Sequence, residues 1–152
     1  PNFRNLMTPA YDTTLARVAR LADVIKVSDE DLRGLFRTPD PQVALARLKA
    51  LNPQAVVLVT LGAEGAQLHA DGKRFYQASP SVEIADTVGA GDASIGGLLY
   101  SLMNQPDAGW PAHLRHAVAA GTAACLRPGA APPALATVEK VLATMEQPRP
   151  MD

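Results

Sequence analysis

The run Ala55-Val56-Val57-Leu58-Val59-Thr60 is apolar through its first five positions and lacks the in–out alternation of a strand with one wet face. Bounded by Asn52-Pro53 and Gly62, it fits a parallel strand covered on both sides. Val24-Ile25-Lys26-Val27 is a shorter β-branched run and reads as a second buried strand. Two helices lie between them. Ser28-Asp29-Glu30-Asp31 opens the first, which ends near Phe36, and Gln42 to Leu51 forms the second. Upstream, Tyr11 to Ala22 carries Leu15, Val18, Ala19 and Ala22 at helical spacing. Downstream, Ala66 to Ala70 and Arg74 to Gln77 flank Asp71-Gly72 as a hairpin. Helices are predicted over Ala90 to Met103, Ala112 to Leu126 and Leu135 to Met145, and the tail after Met145 is expected to be loose. This order favours an α/β layered fold with a largely parallel sheet. Only two central strands are legible, so further strands are expected on the N-terminal side.

The 152 residues fit one domain, and 47% hydrophobic with 19% charged residues excludes a disordered chain. Fourteen basic and fifteen acidic residues leave a formal charge of −1, so no nucleic-acid footprint is present. The apolar runs fall well short of the roughly 18 residues that span a membrane. A lone Cys125 rules out an internal disulfide and fits a cytoplasmic location. The chain opens on Pro1 without a signal-peptide pattern, and its true start is expected elsewhere.

Chemistry concentrates in Asp86-Thr87-Val88-Gly89-Ala90-Gly91-Asp92, which leads from an extended stretch into an apolar helix. Gly89 and Gly91 permit a tight turn and close approach to a ligand. The helix that follows offers free N–H groups and a positive dipole end to an anion. Asp92, in its first turn, is placed to accept a proton from a substrate hydroxyl. An anion cradle beside a base is what phosphoryl transfer to an alcohol requires. On the loop alone, a purely structural first-turn aspartate carries about equal weight. A dinucleotide fingerprint is nearly matched by Gly89-x-Gly91-x-x-Ser94, but Asp92 would face the pyrophosphate and no acidic ribose partner follows in Trp110 to His116. Gly72-Lys73 lacks the remainder of a Walker A loop.

The Asp86–Asp92 segment resembles the C-terminal signature, D-T-T-G-A-G-D, of the ribokinase-like (PfkB) carbohydrate kinases. Several further segments agree. Ala22 to Leu32 is similar to the family's strand leading into N-x-x-E. Thr60-Leu61-Gly62-Ala63-Glu64-Gly65 is similar to the T-L-G-x-x-G nucleotide loop, and Arg127-Pro128-Gly129-Ala130 to its R-x-G-A segment. Pro1-Asn2-Phe3-Arg4 resembles D-P-N-x-R without its aspartate. The wording is most like fructokinases, with 2-keto-3-deoxygluconate kinases as close rivals. The implied fold is a three-layer, Rossmann-like α/β arrangement, here the C-terminal half of a mostly parallel sheet flanked by helices. Residues 1–152 are then the C-terminal nucleotide-binding and catalytic part of a single kinase domain.

The resemblance also implies roles. Asp92 is the general base, and the amides of Gly89, Ala90 and Gly91 form the anion hole. Thr60, Gly62 and Gly65 line the ATP phosphates and ribose. Val118, Gly121 and Thr122 lie on the helix that covers adenine, although by pattern alone they are core. Ser28 and Asp31 stand at the N-x-x-E positions, and helix capping accounts for them equally well. Mg²⁺ accompanies ATP, bridging phosphates and held through water. Asp86, with backbone carbonyls of Val88, Ala124, Arg127 and Gly129, would hold a monovalent cation such as K⁺. Pro133 replaces a hydroxyl ligand found in some relatives, a departure that counts against cation activation. Arg4 is a candidate phosphate contact. A non-catalytic nucleotide-binding module remains the alternative class, but it has no need of a carboxylate at that position.

The remaining polar residues read as structural. His113 and His116 are expected to be solvated on their helix, and His69 exposed in the hairpin. Cys125 reads as a small buried apolar residue, Trp110 as a loop anchor, and Gly96-Gly97 as a site of close packing. The family is about twice this length, so the sugar-binding half and lid are expected upstream. The 152 residues alone are expected to bind ATP weakly, to transfer phosphate poorly and to leave a sheet edge exposed. Homodimerisation through the lid is an expectation for the full-length protein.

Overall fold

A computed structural model describes residues 8–152. Among the described residues five strands form one sheet in the order β1 (Val24–Ser28), β2 (Val56–Thr60), β3 (Ala66–Ala70), β4 (Lys73–Gln77) and β5 (Arg149–Pro150). Helices α1 (Asp12–Leu21), α2 (Asp29–Phe36) and α3 (Pro41–Leu51) precede β2; α4 (Ala90–Asn104), α5 (Trp110–Ala124) and α6 (Leu135–Thr144) follow β4. No described helix is long and apolar enough to cross a membrane.

Local chemistry sets the element ends. Ser28 Oγ accepts from the Asp31 N–H at 2.9 Å, and Asp31 Oδ2 accepts from the Ser28 N–H at 3.3 Å, a reciprocal capping box that starts α2. Asp40 caps α3 by accepting from the Gln42 N–H at 2.8 Å, with Pro41 in the first helical turn, where no N–H is needed. Asn52 Nδ2 donates to the carbonyls of Ala19 (3.1 Å) and Ala22 (3.0 Å), joining the end of α3 to the end of α1.

The helix, strand and hairpin order follows the sequence expectation, and the helices lie on both faces of the sheet. Val57 and Val59 face a core built with Ala19, Leu32, Leu35 and Leu45 from the first three helices. Leu58, with Leu68 from β3, faces the opposite core with Leu98, Leu114 and Val138 from the last three. Burial of β2 on both faces explains its unbroken apolar sequence. β1 and β2 pair in parallel, Val24 opposite Val56, the crossover made by α2 and α3.

Three observations differ from expectation. First, among the described residues the sheet is mixed and not largely parallel, because the two-residue turn at Asp71-Gly72 (φ 51° and 72°) folds β4 back on β3 and β3 runs antiparallel to β2. Second, the tail after Met145 is ordered. Arg149 and Pro150 pair with Tyr76 and Phe75, and the Met151 N–H donates to the Arg74 carbonyl at 2.9 Å. Third, the three histidines are interior. His69, His113 and His116 are 3%, 2% and 8% exposed. His113 Nδ1 pairs with Ser101 Oγ at 2.9 Å, and the ring of His116 stacks on Tyr100 at 5.5 Å. Cys125 is buried as expected. Trp110 starts α5, and its indole donates to Asp71 at 2.7 Å, so it ties the hairpin turn to the helix.

Candidate functional site

The parallel pair β1–β2 ends at Ser28 and Thr60, side by side. The crevice at the carboxyl ends of parallel strands is where open α/β sheets bind ligands. Here it is a groove of about 830 Å³. Thr60, Gly62 and Gly65 form one wall, Ser28 stands at the end of β1, and Val118, Gly121 and Thr122 of α5 lie opposite. Ala90 and Gly91 close it at the start of α4. The residues that sequence reasoning assigned to a nucleotide therefore line one cavity.

The wall is held by its own backbone. Gly62–Glu64 makes a single 3-10 turn, and the Leu61 N–H donates to the Gly65 carbonyl at 2.8 Å. Gly65 has φ +112°, and a Cβ there would strike the carbonyl oxygen of Gln77, so glycine is required on both counts. The Tyr76 hydroxyl donates to the Glu64 carbonyl at 2.6 Å, and the Arg149 guanidinium lies 4.6 Å above the Tyr76 ring. Ser28 is engaged in the capping box, and Asp31 shares that role.

The signature loop is organised by Asp86. Its Oδ1 accepts from the Val88 N–H at 3.0 Å and its Oδ2 from the Gly129 N–H at 2.8 Å. These bonds, first from Val88 and then from Gly129, hold its carboxyl below the ordinary carboxylate range. The Cys125 carbonyl accepts from the N–H groups of Ala85 (2.9 Å) and Asp86 (3.3 Å). The segment carrying Ala124, Arg127 and Gly129 is thus drawn to the segment carrying Asp86 and Val88, as a cation cradle would need. Burial, then the charge of Asp86, raises the Cys125 thiol above its ordinary value.

Gly89, at φ +83°, caps α4 and turns the chain into the helix. The Ala90 N–H is partly used, donating to Thr87 O at 3.2 Å. The next N–H groups, of Gly91 and Asp92, fall in a first turn that lacks intrahelical acceptors. Asp92 does not share the groove with Ala90 and Gly91. Its exposed side chain lines a second cavity, about 440 Å³, together with Gly89, Gly96, Tyr100, His116 and Pro133. Consecutive helical residues are turned by about 100°, so the Asp92 side chain leaves the helix end toward a different cavity from the one that Ala90 and Gly91 line. His116 Nε2, buried at this cavity, has no hydrogen-bond partner, and burial followed by the neighbouring His113 lowers its pKa.

Two points stand apart from the predicted set. Arg4 and the rest of Pro1-Asn2-Phe3-Arg4 lie outside the described residues. Lys26, by contrast, lines the groove although the sequence pattern placed it in a buried strand; a lysine inside a β-branched run was the available signal.

The family model described as pfkB family carbohydrate kinase matches residues 1–137. Aminoimidazole riboside kinase of Salmonella typhimurium is 40% identical over 104 residues, which are 66% of this chain and 32% of that kinase. A fructokinase of Klebsiella pneumoniae is 39% identical over 88 residues, 58% of this chain and 29% of that enzyme. The structure of Vibrio cholerae fructokinase in fructose-, ADP- and calcium-bound form superposes with a TM-score of 0.74 at 33% identity, covering 86% of this chain and 44% of that one. The chain thus spans about a third to less than half of the length of these relatives.

Proposed function

The chain belongs to the pfkB family of carbohydrate kinases, and we propose that it carries the nucleotide side and the general base of an ATP-dependent sugar kinase of fructokinase type. One observation carries this reading: two cavities flank the start of α4, Ala90 and Gly91 lining one and Asp92 the other. ATP lies in the larger groove, its phosphates along Thr60, Gly62 and Gly65 and its base near Val118 and Thr122. The acceptor alcohol enters from the smaller cavity.

In this arrangement the Asp92 carboxylate takes the proton of the acceptor O–H. The acceptor oxygen bonds to the γ-phosphorus while the bond from that phosphorus to the bridging oxygen of ADP breaks. Charge on the moving phosphoryl group faces the N–H groups at Gly89, Ala90 and Gly91, the first-turn dipole adding to them. The proton then leaves Asp92 to solvent. Among the described residues no group of three or more histidine, cysteine or carboxylate side chains forms a metal cage. Mg²⁺ would be carried mainly by the phosphates, with Glu30 at the groove rim able to hold it through water. Mg²⁺ held there would offset phosphate charge. The Asp86 region, with carbonyls of Val88, Ala124, Arg127 and Gly129, is the place for a monovalent cation.

A second acceptor class is favoured by the 40% identity to a riboside kinase, whose name states a ribosyl substrate. The deciding experiment assays full-length kinase carrying these residues with ATP against fructose, 2-keto-3-deoxygluconate and aminoimidazole riboside. Asp92→Asn is expected to lower kcat by at least about a hundredfold while ADP affinity holds within about twofold. Near-parental turnover in Asp92→Asn would remove the base assignment.

A further inference from the structure

We propose, resting on the kinase reading above, that Tyr76 is a positioning residue for the nucleotide: its hydroxyl fixes the turn between Gly62 and Gly65 in the shape that receives phosphate, without reaching the ligand itself. The turn needs such help. Its three residues form one 3-10 turn, whose hydrogen bonds have poorer geometry than those of an α-helix. The Glu64 N–H donates to the Leu61 carbonyl and the Gly65 N–H to the Gly62 carbonyl, both at 3.2 Å, the long end of the usual range. The bond from the Tyr76 hydroxyl to the Glu64 carbonyl, at 2.6 Å, is short even for an O–H donor, and it comes from another strand.

Strand pairing puts the hydroxyl there. On β4, Phe75 packs toward the core of the last three helices, so alternation turns Tyr76 to the opposite face. Tyr76 stands opposite Gln67 and Gln77 opposite Ala66, which places the end of β4 beside the turn that leads into β3. A second contact lies next to it. A Cβ on Gly65 would come within 2.8 Å of the Ser79 nitrogen and 2.9 Å of the Ala78 Cα, so the turn rests on the backbone that leaves β4. Ser79 and Pro80 then line the groove, as Leu61, Gly62 and Gly65 do from their side, while Tyr76 does not. Tyr76 thus sits behind the place where two stretches of groove wall are joined. Without its hydroxyl the Glu64 carbonyl turns to water, and the backbone around Gly62 and Gly65 is ordered only when phosphate arrives. Nucleotide binding then bears that ordering cost.

A tyrosine on a hairpin strand can also serve the sheet alone, through its ring and its β propensity. Tyr76→Phe keeps both and removes only the donor. Steady-state kinetics of the full-length kinase carrying these residues are measured for the parent and Tyr76→Phe, well below both melting midpoints, with calorimetric titration of ADP and AMP. Tyr76→Phe is expected to raise KM for ATP and weaken ADP by about three- to tenfold, to hold kcat within about twofold, and to change AMP less than ADP. Backbone hydrogen exchange at Glu64 and Gly65 is expected to quicken in the free variant and to return toward the parent's rate with ADP bound. A parental KM for ATP in Tyr76→Phe overturns the assignment. So does a loss shared equally by ATP, AMP and the melting midpoint, which is what a role in the sheet alone would give. If the parent itself shows no turnover with ATP, the kinase reading fails and the role of Tyr76 goes with it; if the parent turns over and Tyr76→Phe matches it, only Tyr76 is misassigned.

Discussion

The carboxylate of Asp86 binds the backbone N–H of Gly129, 43 residues further along the chain, at 2.8 Å. Its other oxygen holds Val88, so one side chain fastens the loop before α4 to the loop after α5. Both bonds favour the ionised form, and its pKa is lowered accordingly. A carboxylate with a depressed folded-state pKa contributes stability above the ordinary carboxylate range and loses it as pH falls through the lowered value. Asp86→Asn is expected to weaken nucleotide binding at neutral pH, because an amide can accept from one N–H but presents a donor to the other. Its binding is also expected to be less acid-sensitive than the parent's. Titrations at pH 7 and at about pH 3, below the ordinary carboxylate range, check both.

His69 supplies a second pH effect. Burial, followed by the positive charges of Lys49 and Arg74, pushes its pKa down to about 4. A histidine whose folded pKa lies below its unfolded one stabilises the fold fully above about 6.5 and loses that contribution as pH falls toward about 4. By pH 5 the loss is about 2 kcal/mol. Melting curves at pH 7 and pH 5 should show a clear drop in the parent and a smaller one in His69→Leu. Equal drops would mean that His69 is not held neutral.

Neighbouring glycines of α4 should respond with opposite signs. A Cβ at Gly97 would lie 2.5 Å from the Ala120 Cβ and 2.9 Å from the His116 carbonyl oxygen, whereas at Gly96 it meets nothing within 4 Å. Of the pair, only Gly97 is close-packed, helix against helix; Gly96 faces open space. Gly97→Ala is expected to cost about 1–3 kcal/mol by overpacking α4 on α5. Gly96→Ala is expected to gain about 0.5–1 kcal/mol from helix propensity. Denaturant midpoints measure both.

Ser28 had two readings, cap and ligand. Its hydroxyl is bonded to the Asp31 N–H, so Ser28→Ala should lower stability by about 1 kcal/mol and leave ATP affinity within about twofold. A large affinity loss at unchanged stability would reverse that reading.

These residues also show how far the fold and site could be read from sequence. Elements with local chemical signals were legible: Ser28 and Asp31 mark a helix start, Asp71-Gly72 a reversal, and Val56–Val59 a strand wet on neither face. What depends on distant partners was not. Arg149-Pro150 has no strand signature and becomes one only because β4 offers it an unpaired edge. His113 and His116 look like surface residues until Ser101 and Tyr100 are placed beside them. The nucleotide-loop residues gathered in one cavity as their motif suggested, since that motif is contiguous along the end of β2. The separation of Asp92 from Ala90 and Gly91 follows from helical rotation, which a linear motif does not display.

The last strand has a practical consequence. Arg149 covers Tyr76, and Tyr76 holds the carbonyl of Glu64 in the turn between Gly62 and Gly65. The segment at Arg149 is thereby mechanically linked to the turn that walls the groove. A chain cut after Gln147 would lose that tether, so an affinity measured on it would report the tether as well as the groove.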